Sequence, residues 1–146
     1  MNNAASDPTS RRRAGLLIPL FSWPTTASWG IGDIGDIGAV TAWLASAGLR
    51  ALQLLPINEM APGQQSPYSA ISAMAIDPIF IQVPAVAEFD ALGGEAALAP
   101  DDRALLAVVR AGRRIDHGSV RRLKRGALRR ARSRSQRKSS AARASH

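Results

Sequence analysis

The sequence predicts an α/β fold built on a parallel sheet, and three observations carry the prediction. Gly15 to Phe21 and Leu49 to Leu55 are short, continuously apolar runs, the pattern of strands buried on both faces. Between them Val40, Trp43, Leu44 and Ala47 recur at helical spacing over about Ile37 to Ala47, and Gly48 follows as a stop. Strand, helix and strand at this spacing make a βαβ unit, so the strands run parallel and the crossover is right-handed.

Taken in order, residues 1–10 are small and polar and are expected to form a disordered leader. After the first strand, Ser22 to Gly38 is dense in Gly, Ser, Thr and Pro and reads as loop. The second strand ends at Pro56 and opens a long connection, 56–78, that also holds Pro62, Pro67 and Pro78. Connections of this length inside a compact domain are functional or disordered. This one leaves the C-terminal end of a parallel strand, where α/β folds place their ligands. Ile79 to Val83 predicts a short strand or extended piece, and Pro84 to Leu92 one helix ended by Gly93-Gly94. Asp101-Asp102 marks the start of a helix running to about Arg110, with Leu105, Val108 and Val109 inward. Asp116 starts another, with Val120, Leu123, Ala127 and Leu128 on one face and arginines on the other. Residues 132–146 hold no Leu, Ile, Val, Phe, Trp, Tyr or Met, so disorder is expected there.

A chain of 146 residues suffices for one domain with a real core but not for a closed (β/α)8 barrel, which needs roughly 200. The absence of cysteine excludes disulfides and thiolate metal sites, and the only histidines, His117 and His146, lie too far apart for a short-spaced metal motif. The net charge of +8 is unevenly spread: residues 1–100 carry four Arg against eight acids, and residues 101–146 fifteen Lys/Arg against three Asp. The basic tail could neutralise phosphates, but it has no interleaved aromatics and no reader motif, so nucleic acid is not an expected partner. A shifted reading frame or truncated gene is the expected origin of such a tail. Arg11-Arg12-Arg13 before an apolar run is loosely like a twin-arginine signal, but the run is short and contains Pro19. No run approaches the length of a membrane span, and a cytoplasmic location is expected.

Gly30-Ile31-Gly32-Asp33-Ile34-Gly35 formally matches the dinucleotide fingerprint G-x-G-x-x-G. It stands away from its strand, places Asp33 toward a would-be pyrophosphate and has no acid about 20 residues on, so a tightly packed loop is expected instead. Asp33, Asp36, Glu59 and Asp77 are the candidate carboxylates for glycosidic chemistry, which requires a facing pair. No spacing singles out a pair among them, and caps, turns or solvated charges are expected. Tyr68, the single tyrosine, serves equally as an apolar platform with a hydroxyl for a sugar ring or as packing for its loop.

Several blocks in order resemble the amylomaltases, the 4-α-glucanotransferases of glycoside hydrolase family 77. They are residues 12–19 (RRAGLLIP), 28–33 (SWGIGD), 52–58 (LQLLPIN), Gly63 to Ser66, Ser66-Pro67-Tyr68-Ser69, Ser72-Ala73 and Asp77-Pro78. The resemblance covers about residues 11–131 and weakens after Gly94. It implies the N-terminal βα units of an incomplete (β/α)8 TIM barrel over 11–131, followed by the disordered basic tail. The implied activity is retaining transfer of α-1,4-glucan segments to glucose or maltooligosaccharide acceptors, without a cofactor. The implied partners are α-1,4-glucans and maltooligosaccharides, with no membrane. The family's catalytic aspartate, acid/base glutamate and assisting aspartate lie on later strands, so no catalytic residue is assigned and the chain alone is expected to be inactive. Ser66 and Tyr68 match positions that line the glucan cleft, Tyr68 as ring platform and Ser66 as hydrogen-bonding partner of sugar hydroxyls, with Pro67 fixing the turn between them.

Overall fold

The computed structural model describes residues 13–61, 64, 66 and 68–144; the expected leader at 1–10 lies outside them. Strands β1 (Gly15–Ile18) and β2 (Ala51–Leu54) form a two-stranded parallel sheet, Gly15 opposite Ala51 and Ile18 opposite Leu54. Helix α1 (Ile37–Ser46) crosses between them, so the predicted βαβ unit is present. Strand β1 is shorter than its apolar run because Pro19, which has no N–H to donate, leads into a 3-10 turn at Leu20–Ser22. The two strands are also not buried on both faces. Val40 and Leu44 of α1 are buried, whereas Leu17 is 55% exposed and Ala51 and Gln53 face solvent. A two-stranded sheet covered on one side leaves alternate residues in water.

The core lies beside the sheet. Leu20, Trp29 and Ile31 from the β1–α1 connection pack with Ile79, Phe80, Val83 and Phe89, and with residues of α3 (Pro100–Ala111) and α4 (His117–Ala144). Trp29 meets Phe89 edge-on, with ring centroids 5.7 Å apart. Residues 79–83 are not a strand, and only Ile81 and Gln82 of the expected extended piece are extended: Asp77 accepts from the Ile79 amide and Pro78 starts a 3-10 turn to Phe80, then Val83–Ala85 forms another. Pro84 sits within that second turn, so the expected helix from Pro84 to Leu92 shrinks to α2 (Ala87–Asp90).

Helix α3 begins at Pro100, with Asp101 and Asp102 in its first turn as anticipated. Its buried arc centres on Leu106 and Val109. Val108, expected inward, lies about 100° around the helix from Val109 and is 66% exposed. In α4, Val120, Leu123, Ala127 and Ala131 are buried along one face. The helix does not end there. It continues to Ala144, where disorder from 132 onward was expected. Arg, Ser, Gln, Lys and Ala can extend a helix already nucleated by packing at small cost per residue, although they bury nothing apolar themselves. No helix among the described residues is long and apolar enough to cross a membrane.

Candidate functional site

Both strands point their C-terminal ends toward the connection that follows β2, and this connection folds back on itself as an arm. The Asp77 amide donates to Ile57 O at 2.9 Å, Glu59 N to Ala75 O at 3.0 Å, Ile71 N to Glu59 O at 2.9 Å and Ala61 N to Ser69 O at 3.1 Å. Asn58 adds a side-chain bond from Nδ2 to Ala73 O at 2.9 Å. These described backbone groups thus find their partners within the arm itself.

Two cations of α4 pin the root of the arm. Arg121 donates to both carboxylate oxygens of fully buried Asp77, at 2.8 and 2.7 Å, and Arg125 reaches Glu59 at 3.1 Å. At the tip, Ser69 N donates to Ser66 O at 3.0 Å and Tyr68 N to Ser66 Oγ at 3.4 Å. The structure therefore brings Ser66 and Tyr68 together on one turn, and it leaves Tyr68 73% exposed rather than packing the loop. Ile71 and Met74 on the same arm are exposed as well. Pro67 lies outside the described residues.

The candidate carboxylates are engaged elsewhere. Asp36 accepts from Thr25 Oγ1 at 2.6 Å, Ser28 Oγ at 2.8 Å and the Asp33 amide at 2.8 Å. Asp33 accepts from the Gly35 amide at 3.1 Å and from Lys124 Nζ at 2.8 Å. Burial raises the Asp33 carboxyl and lowers the Lys124 ammonium, each opposed by its partner. Lys124 also donates to Ile81 O at 2.9 Å. These aspartates act as caps and ion-pair partners, and Asp33, Asp36 and Asp77 are buried rather than solvated.

The glycine motif is a packing device. Gly30 has φ +73°, and a Cβ there would lie 2.6 Å from Val109 O; a Cβ on Gly32 would collide with Leu20 O. Those close approaches fix the loop against α3 and the β1 end, and they leave no phosphate cradle.

The sequence reading missed His117 and the cations of α4. His117 packs edge-on against Phe21 at 5.6 Å and lines a small pocket at the strand ends with Pro19, Leu55, Pro56 and Met60. Burial, then the Arg121 charge, lowers its pKa. Lys124 lies on the apolar stripe of α4, between Val120 and Ala127 in helical phase, and that placement was the available signal for a buried ion pair. An open cleft of about 960 Å³ adjoins His117, between the β1–α1 connection and the turn from α3 to α4. No group of three or more His, Asp or Glu among the described residues could hold a metal ion.

Comparison with known proteins places these features in a family. The model for glycoside hydrolase family 77, 4-alpha-glucanotransferase, matches residues 18–146, a span that includes all of α4. A 4-alpha-glucanotransferase of Chlamydia pneumoniae is 35% identical over 78 residues, 53% of this chain and 15% of that protein. One from Chlamydia trachomatis serovar D is 39% identical over 72 residues, 49% of this chain and 14% of that protein. A rice 4-alpha-glucanotransferase, from Oryza sativa subsp. japonica, is 32% identical over 88 residues, 58% of this chain and 9% of that protein. The matched stretch thus spans a small part of each relative's length, and the chain belongs to the 4-alpha-glucanotransferase family, glycoside hydrolase family 77.

Proposed function

We propose that this chain forms the opening βα units of a (β/α)8 glucanotransferase barrel and contributes glucan-binding surface, not the reacting carboxylates. The observation that carries the reading is the arm after β2: its root is pinned by Arg121 and Arg125 while its tip presents Tyr68, 73% exposed, at the ligand side of the strands. A tyrosine so placed offers its face to a pyranose ring and its hydroxyl to the rim, with Ser66 beside it to exchange hydrogen bonds with sugar hydroxyls. The donor and acceptor class is α-1,4-glucan and maltooligosaccharide, carried over from the family.

Retaining transfer needs a nucleophilic carboxylate facing an acid/base carboxyl about 5–5.5 Å away. Asp33, Asp36 and Asp77 are committed to buried caps and ion pairs, and Glu59 is held by Arg125. We therefore assign this chain no catalysis of its own. Incubating the purified chain with maltotriose should release no glucose, and Tyr68→Ala should weaken maltooligosaccharide binding about tenfold without changing the melting temperature. Glucose release above blank, or binding indifferent to Tyr68, would overturn the corresponding half of the reading.

A second reading, a nucleic-acid-binding helix, rests on the exposed run of Arg129, Arg130, Arg132, Arg137 and Lys138 along α4. It requires duplex affinity that falls steeply with salt. The glucan reading requires maltooligosaccharide affinity that does not.

A further inference from the structure

We propose that the cleft between the β1–α1 connection and the α3–α4 turn binds a phosphate monoester carried on a sugar. The phosphate part stands independently of the glucan reading, whereas the sugar part rests on it. Arg113 and Arg114 both line this cleft, both are exposed, and neither has a hydrogen bond or ion pair among the described residues. Their neighbour Arg110 differs: its guanidinium is fixed on Glu95 at 2.8 and 2.6 Å and its Nε on Ser28 O at 3.1 Å. The cleft thus has one neutralised arginine in its wall and two unneutralised ones.

The acids nearby do not compete for them. Among the described residues, no acid lines the cleft. Asp36 lies buried beneath it, already accepting from Thr25, Ser28 and the Asp33 amide. Asp116 turns its carboxylate into the first turn of α4, where Oδ1 accepts from Ser119 N at 3.0 Å. The Thr25 and Ser28 hydroxyls donate to Asp36 and the Ser22 hydroxyl to Pro19 O, so among the described lining residues Thr26 holds the hydroxyl still free to bond a ligand.

The guanidinium forks of Arg113 and Arg114 and the Thr26 hydroxyl line one cleft, and forks of this kind match a phosphate oxygen set better than a point charge would. The walls supply the rest of the specificity. Phe21, Val109 and Ile115 also line the cleft and supply apolar contact for a carrier ring, and the volume of about 960 Å³ admits a sugar phosphate. Two sources share this chemistry: a phosphorylated α-glucan and a free sugar phosphate.

The test is calorimetric titration of the 146-residue chain at constant ionic strength with inorganic phosphate, glucose 6-phosphate, glucose and a singly phosphorylated maltotriose. Saturable binding of glucose 6-phosphate is expected, weaker binding of inorganic phosphate, and none of glucose. The variant Arg113→Ala/Arg114→Ala should lose affinity about tenfold or more. Arg50→Ala/Arg143→Ala removes the same charge elsewhere and should change it less than about twofold. All four side chains are exposed, so both variants should melt with the parent. Tighter binding of phosphorylated maltotriose than of glucose 6-phosphate identifies the glucan as carrier, and equal affinity identifies the free sugar phosphate. Equal losses in the two double variants, non-saturable binding, or glucose binding as well as its phosphate would overturn the proposal. Phosphate binding that survives Tyr68→Ala while maltotriose binding disappears separates this site from the arm.

Discussion

Lys124 has no exposed side-chain surface, and its ammonium lies 2.8 Å from an aspartate 91 positions earlier in the chain. Removing one member of such a pair strands a buried charge, which costs about 3–5 kcal/mol, whereas removing both is far milder. Lys124→Met should therefore lower unfolding free energy by that order in urea titrations, and Asp33→Asn/Lys124→Met should recover most of the loss. Similar losses in the single and double variants would show that the pair acts through packing alone. Glu95 gives the pH counterpart. Hydrogen bonds from Arg110, and secondarily from Trp29 Nε1 at 2.7 Å, hold its carboxyl below the ordinary glutamate range. A depressed folded value means that the stabilisation is complete above the unfolded value and is lost as pH falls through the folded one. Urea midpoints for the parent and Glu95→Gln should then differ most near neutrality and converge on acidification toward about pH 3. A gap independent of pH would remove Glu95 as its source.

At the scale of elements, α4 has two parts with different physics. Up to Ala131 it buries Val120, Leu123, Lys124 and Ala127 and supplies Arg121 and Arg125 to the arm. Beyond Ala131 the described side chains are exposed or half-exposed, and Ser133 Oγ merely donates back to Arg129 O at 3.0 Å. Deleting residues 132–146 should leave the urea midpoint within about 0.5 kcal/mol of the parent while far-UV circular dichroism loses helix in proportion. A loss of 1 kcal/mol or more, on the order of a buried contact, would show that the distal turns pack. The same helix marks the limit of what was legible in the sequence. The βαβ unit was readable because apolar periodicity is local, and so were the starts of α3 and α4, signalled by Asp101-Asp102 and Asp116. Disorder after Ala131 was the natural reading of a segment without apolar residues, because composition reports on burial and not on the small cost of extending a nucleated helix. Ile79 to Val83 has strand composition, but Asp77, Pro78 and Pro84 impose turns. Of the candidate site, Ser66 and Tyr68 were singled out only through the family resemblance, and the structure shows that they share one turn. The pairs Asp33–Lys124 and Asp77–Arg121 were not legible, since they join residues that only the folded chain brings together.

The molecule as a whole exposes more apolar surface than a chain with a covered sheet would. Leu17 is 55% exposed on β1, Trp43 49% on α1, and Ile71, Ile76 and Met74 lie at 60%, 50% and 94% on the arm. Each strand has one edge paired with the other strand and, among the described residues, none on its second edge. Free edges beside apolar faces template association. The net charge of +8 opposes it by repulsion between copies, but the acidic N-terminal part and the basic C-terminal part could also attract head to tail. Salt separates these forces: screening weakens head-to-tail attraction and relieves like-charge repulsion, so it strengthens an association driven by apolar contact. We expect sedimentation velocity at protein concentrations on the order of 100 µM to show reversible association that grows with added salt. Leu17→Lys places a charge on the open face at the sheet edge and should reduce that association without lowering the melting temperature, because the native side chain is already largely in water. Association that salt dissolves would assign the contact to the charged halves instead, and a chain monomeric at all salt concentrations would show that the strand edges are protected.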